Sequence, residues 1–213
     1  DPVLNQYINS LGQRLVKSSN HKDIPYTFKV VNDKSINAFA IPGGYCYINL
    51  GLIDLAENEA ELASVISHEI AHVVSEHGME NMTKQQIIGF AGAVILGGRP
   101  TFTEEIISSI IQRGVLTNFS RGAELEADRL GIEQMHAAGI NPIGFESFLK
   151  KMHDQEKGES SRFSNMLSTH PPTALRIKKS FEVRTSLSQK KYDVGDHSFL
   201  KMKQHLNLSL IHI

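Results

Sequence analysis

Ser64–Gly78 reads SVISHEIAHVVSEHG, and His68-Glu69-Ile70-Ala71-His72 within it has the spacing H-E-x-x-H. On an α-helix, residues four apart share a face. His68 and His72 therefore point the same way, one turn apart, and two imidazole nitrogens can reach one zinc ion. Glu69 stands beside them, placed to take a proton from water at that ion. The flanks describe a helix with one buried side. Leu62, Val65, Ile66, Ile70, Val73 and Val74 recur at helical spacing. Asn58 and Glu61 form a capping pair, Asn as N-cap and Glu three residues on. Gly78 is the expected stop. Ten of the 213 residues are His, so two ordinary helix histidines would satisfy the bare motif. Both flank the apolar stripe, where half-buried, metal-bound imidazoles would sit, and this favours the zinc reading.

A chain of 213 residues can bury one well-packed core, and residues 1–213 are read as a single domain. Residues 190–213, ending LNLSLIHI, are set apart as a tail on a Lys-rich, solvated helical face. An apolar content of 40% with 21% charged residues fits a soluble globular protein. A net charge of -1 offers no general attraction to nucleic acid or anionic lipid. Cys46 is the only cysteine, so no internal disulfide forms, and its apolar setting, YCYIN, makes it a core residue. No basic, apolar leader opens the chain at Asp1, so any signal peptide is read as removed. The longest apolar run, IIGFAGAVIL at 87–96, is shorter than the roughly 20 residues a membrane-crossing helix needs.

In chain order, Val3, Leu4, Tyr7, Ile8, Leu11, Leu15 and Val16 predict an amphipathic first helix. YTFKVV at 26–31, NAFAI at 37–41 and YCYIN at 45–49 read as three strands, the last two joined by Pro42-Gly43-Gly44. A small antiparallel sheet thus precedes the H-E-x-x-H helix, and NAFAI has two readings. It is either a buried strand or a free edge to which an extended peptide adds as one more strand. Helices are expected over 79–96 and 103–116. A helix over 120–139, with Ser120 as cap and Gly139 as stop, puts Glu124 and Asp128 on one face. Asn141-Pro142 starts another helix, 154–168 reads as a polar loop, and a basic helix follows His170-Pro171-Pro172.

A catalytic zinc commonly has three protein ligands and one open position. His77, five residues beyond His72, misses the H-E-x-x-H-x-x-G-x-x-H register, which needs Gly at the place of Ser75 and His at that of Gly78. It is read as a helix C-terminal histidine, favoured there by the helix dipole. The remaining candidate is a carboxylate on a second helix. Glu124 fits, since Asp128 one turn on can hydrogen-bond a ligand imidazole. Glu126 projects about 160° away from Asp128 and fits less well.

Four motifs in order carry a family resemblance. They are Asn37-Ala38-Phe39-Ala40 with Pro42-Gly43-Gly44, then His68 to His72, then Glu124-x-x-Ala127-Asp128, then Thr169-His170-Pro171 with Arg176. Together, over residues 1–180, they resemble the M48 zinc metallopeptidases. That family includes CAAX prenyl endopeptidases and soluble periplasmic bacterial members that assist outer-membrane protein assembly. The resemblance implies an α+β, mostly helical zincin-like (gluzincin) domain whose small antiparallel sheet turns an edge strand to the active site. It implies one Zn2+ held by His68, His72 and Glu124, with Asp128 supporting a ligand and Glu69 catalytic. Asn37, Ala38, Phe39 and Ala40 would be the substrate-binding strand. His170 would either bind the open zinc position at rest or stabilise the oxyanion, and Arg176 would help hold the tetrahedral intermediate. Having no transmembrane run, the chain departs from the CAAX-type members. The expectation is a periplasmic zinc metalloendopeptidase for extended or misfolded proteins in envelope quality control, working with the outer-membrane assembly machinery. A signal peptide or lipid-attachment cysteine is expected before Asp1. Two other readings stay open: a zinc-bearing chaperone in which peptide binding outweighs cleavage, and a closed, structural zinc site.

Overall fold

The computed structural model describes residues 1–19, 24–41, 43–80, 119–156, 161–193 and 196–211. The helices expected over 79–96 and 103–116 lie outside these residues, 79 and 80 excepted, as does Pro42. Helix α1 (Pro2–Lys17) starts where the Asp1 carboxylate accepts the Val3 and Leu4 N–H groups, and it buries Leu4, Ile8, Leu11, Leu15 and Val16. This is the stripe its sequence periodicity predicts.

Three strands follow: β1 (Thr27–Val31), β2 (Ala38–Ile41) and β3 (Tyr45–Asn49). Their order is β1-β3-β2. β2 and β3 pair antiparallel, and Gly43 and Gly44 between them hold φ values of 95° and 85°, a conformation that Gly adopts without steric cost. β1 and β3, by contrast, pair parallel, so the sheet is mixed rather than wholly antiparallel. The reason is connectivity. The hairpin fixes β3 beside β2, and β3 has only its other side left for β1. The chain reverses between β1 and β2 and again between β2 and β3, so β1 and β3 point the same way. Among the described residues β2 is an edge strand.

Helix α2 (Leu50–Leu55) leads to α3 (Glu59–Val74), the helix around which the core is built. Leu62, Ala63, Val65, Ile66 and Ile70 are all buried, and nearly every residue from Glu59 to His72 is covered. Against it pack α1, β2 and three later helices: α5 (Arg121–Ala137), α6 (Ile143–Glu156) and, through α5, α8 (Ala174–Ser186). A short α4 (His77–Glu80) follows α3, and α7 (Ser164–Thr169) precedes α8. Polar ties fix the start of α3. Asn58 Oδ1 accepts the Glu61 N–H at 2.9 Å. Tyr7 donates to Glu59 at 2.7 Å, and Lys151 reaches Glu61 at 2.9 Å.

Two C-terminal expectations are corrected. Residues 154–168 are not one polar loop, since α6 runs to Glu156, a 3-10 turn spans Ser161–Phe163 and α7 follows. Phe163 and Met166 there are buried. Nor is 190–213 only a solvated tail. Helix α9 (Asp196–Ile211) places Phe199, Met202 and Leu206 in the core, and Lys203 donates to the carbonyl of Ile53. The Lys-rich surface hid an apolar side at 199, 202 and 206, which is helical spacing.

Close approach of α6 to α3 depends on Gly144. A Cβ there would lie 2.4 Å from the backbone carbon of Ala60, which cannot swing aside. Gly144→Ala is expected to destabilise the fold by about 1–3 kcal/mol through overpacking. A melting temperature equal to that of the parent protein would contradict this packing.

Candidate metal centre

Four elements deliver side chains to one buried point. α3 supplies His68, Glu69 and His72; α5 supplies Glu124 and Asp128; the residue after α7 is His170; α8 supplies Arg176. Each is at most 5% exposed. Helix α5 can approach because Gly131 faces the backbone of α3, where a Cβ would come within 3.3 Å of the His68 nitrogen.

The ligand-type atoms converge. His68 Nε2 and His72 Nε2 are 2.9 Å apart. Glu124 Oε1 lies 3.2 Å from His72 Nε2, and Glu124 Oε2 lies 3.5 Å from His68 Nε2. His170 Nδ1 is 3.2 Å from His68 Nε2 and 2.9 Å from Glu124 Oε1. Zn–N and Zn–O bonds near 2.0–2.2 Å put the corners of a tetrahedron roughly 3.3 Å apart, so these four atoms have the spacing of a tetrahedral ligand set. Charge agrees. Three buried carboxylates (Glu69, Glu124, Asp128) face one buried guanidinium, which with neutral imidazoles leaves two negative charges, the complement of a divalent cation. The donor set of imidazoles and carboxylate suits such an ion.

A second layer orients these groups. Asp128 Oδ1 lies 3.1 Å from His68 Nδ1. Arg176 grips Asp128 with two bonds, Nε at 2.8 Å and Nη2 at 2.7 Å. Its Nη1 reaches Glu124 Oε2 at 2.6 Å and also donates to the Pro171 carbonyl at 3.1 Å. His170 Nε2 lies 3.5 Å from Glu69 Oε1. Thus every nitrogen of the Arg176 guanidinium is engaged within the protein.

Electrostatics follow from burial and neighbours. Burial raises the Glu69 carboxyl, against the lowering pull of His170 and His68, and a backbone hydrogen bond from Ala40 also lowers it. Burial acts the same way on Glu124, but His170 and His68 hold it well below the usual carboxylate range. Asp128 is lowered because Arg176 overcomes its burial. His72 is pushed far down, first by burial and then by His68. Burial also works to lower His68, yet Glu124 and Asp128 bring it up to about 9.

The sequence-predicted residues fall into two groups. His68, Glu69, His72, Glu124, Asp128, His170 and Arg176 meet in this cluster. Of the strand residues, Ala40 touches it through its backbone bond to Glu69. Phe39 stacks on Tyr47 at 5.0 Å in a separate apolar group with Ile41. Asn49 donates its N–H to the Asn37 carbonyl, which sets the pairing phase. Asn37, Phe39 and Ile41 point their backbone groups at β3, and Ala38 and Ala40 point theirs the other way. Two residues escaped the sequence reading. Phe119 stacks on His72 with ring centroids 3.9 Å apart. His77 is buried, with Nδ1 3.0 Å from His72 Nδ1. Gly78 does not stop α3; the helix ends at Val74, and Glu76 at φ 55° starts the turn.

His68 must release a proton to bind a cation. Its folded pKa of about 9 lies above the ordinary 6.5. That proton therefore stabilises the metal-free fold fully below about pH 6.5, and the contribution is lost as pH rises through about 9. Chelator-treated protein is expected to melt at lower temperature at pH 9 than at pH 6.5. Uptake of Zn2+ should release about one proton and tighten roughly tenfold per pH unit over that range. Zinc affinity independent of pH would count against His68 as a ligand.

Residues 2–182 match the family model of Peptidase family M48. The chain is 36% identical to the beta-barrel assembly-enhancing protease of Yersinia pestis, over 95% of this chain and 44% of that protein. It is 28% identical to the mitochondrial metalloendopeptidase OMA1 of Schizosaccharomyces pombe, over 81% of this chain and 51% of that protein. It is 31% identical to the metalloprotease LoiP of Escherichia coli, over 71% of this chain and 60% of that protein. The chain spans less than half the length of the Yersinia relative. With the family match running across the sheet, the helices and every side chain of the buried cluster, the chain belongs to peptidase family M48.

Proposed function

We propose that this domain is a zinc-dependent metalloendopeptidase that cuts polypeptides held in extended form, and that it serves protein quality control in the bacterial envelope. The observation that carries the reading is the convergence of His68, His72 and Glu124 with the Glu69 carboxyl alongside. His68, His72 and Glu124 would hold the ion. When bound, zinc polarises a carbonyl and lowers the pKa of water toward about 7.

The chain's own groups do the rest. Glu69 takes the proton from the attacking water and passes it to the leaving amine. Its burial, which raises its pKa, suits a group that must first accept and then give. Ala40 N–H orients that carboxylate from the edge of the sheet. A peptide laid beside β2 would pair with the outward backbone groups of Ala38 and Ala40, so its main chain and not its side chains sets the register. Arg176 acts by clamping Glu124 and Asp128 and by holding the Pro171 carbonyl next to His170. The oxyanion role that the resemblance implies for it would require these bonds to break.

The envelope assignment draws on the name of the Yersinia relative, a beta-barrel assembly-enhancing protease. No described helix is long and apolar enough to cross a membrane, which suits a periplasmic domain working beside the outer-membrane assembly machinery. Glu69→Gln is expected to keep one zinc per chain and lose casein cleavage by about 100-fold or more. Parent-like cleavage by that variant would remove Glu69 from the chemistry.

A second reading is favoured by His170, whose Nδ1 fills the fourth corner of the ligand set. In this arrangement water has no corner, and resting cleavage is low. The domain would then act mainly by binding peptide, as a chaperone does. His170→Ala is expected to retain zinc and bind a hydroxamate probe about tenfold more tightly, since the competent site is no longer a minor state. Unchanged hydroxamate affinity would mean that the fourth corner is already open in the parent protein.

A further inference from the structure

His77 is buried at 5% exposure, yet the chemistry above gives it no task. Its two ring nitrogens each meet one partner. Nδ1 lies 3.0 Å from His72 Nδ1, and Nε2 lies 3.5 Å from Glu126 Oε2 on α5. Its position is not a continuation of α3. Glu76 adopts φ 55°, a left-handed conformation that costs a non-glycine residue roughly 1–2 kcal/mol. That turn folds His77 back beside the histidine five residues earlier.

We propose that His77 is a positioning residue for the metal centre: it fixes the tautomer of His72 that presents Nε2 to the ion, and Glu126 fixes His77 in turn. The inference rests on the reading of His72 as a ligand. Hydrogen accounting carries it. His72 Nε2 points into the ligand cluster, so a lone pair is available there only if the ring hydrogen sits on Nδ1. His72 Nδ1 then donates to His77 Nδ1, which must accept. The hydrogen of His77 is thereby placed on Nε2, where it donates to the Glu126 carboxylate, a group that only accepts. Reversing the chain would set a bare His77 Nε2 against the Glu126 oxygens and put a hydrogen on the ligating atom of His72. The carboxylate selects the direction. Outer partners of this kind orient ligand imidazoles and raise their basicity.

Two measurements test this. Zinc dissociation constants by chelator competition are compared for the parent protein, His77→Phe and His77→Asn. Phe fills the space without an acceptor, and the Asn amide oxygen can stand where Nδ1 stood. The expected result is binding about 10- to 100-fold weaker for His77→Phe and within about threefold of the parent for His77→Asn. Nitrogen-15 NMR of the zinc-loaded parent is expected to show His77 with its hydrogen on Nε2 and a bare Nδ1. Parent-like zinc affinity in His77→Phe, or a hydrogen on His77 Nδ1, overturns this inference alone. Should His77→Phe fail to fold, the NMR tautomer decides. If the parent protein takes up no zinc, the metal-centre reading itself is what fails.

Discussion

Two imidazole nitrogens from adjacent turns of α3 lie 2.9 Å apart, with a carboxylate from α5 3.2 Å from one of them. Groups of this kind are expensive to bury without partners, and here three carboxylates share a nearly water-free space with one guanidinium. The protein meets that cost by making each group hold another. Arg176 binds both Glu124 and Asp128, Asp128 faces His68, and His77 faces His72. What remains uncompensated is the charge of a divalent ion, so the same arrangement that makes the site costly makes it selective for a cation.

The rest of the architecture serves that convergence. α3 is covered along most of its length, and its two ends have separate duties. At the start, Glu59 and Glu61 tie it to Tyr7 on α1 and to Lys151 on α6. At the far end it carries the histidines, then breaks at the left-handed Glu76. Close helix packing at Gly131 and Gly144 brings α5 and α6 against its backbone. A helix anchored by ion pairs at one end and by packing along its sides can hold ligand atoms at fixed spacing, which a metal centre requires.

The sheet contributes through one backbone group. Because residues 37, 39 and 41 pair inward, Ala40 is left to meet Glu69. The edge at which a substrate strand would add is thereby bonded to the carboxylate proposed to move the proton. Recognition through main-chain bonds discriminates weakly between side chains, which suits an enzyme facing unfolded clients.

Much of this was legible in residue order. Helical spacing put His68 and His72 on one face, and caps at Asn58 and Ser120 marked where α3 and α5 begin. The i, i+4 pairing put Glu124 and Asp128 together. These are local facts, carried by backbone periodicity within a few residues. Tertiary structure alone decided three others. The parallel pairing of β1 with β3 depends on which strand the hairpin inserts between, and no strand records that by itself. The buried side of α9 emerged only when Phe199, Met202 and Leu206 met a core assembled from distant segments. His77 looked like a helix-end histidine because its role needs both the left-handed turn at Glu76 and a carboxylate from α5. Periodicity specifies which way a side chain points from its own helix, whereas its partner is set by the packing of another helix against it.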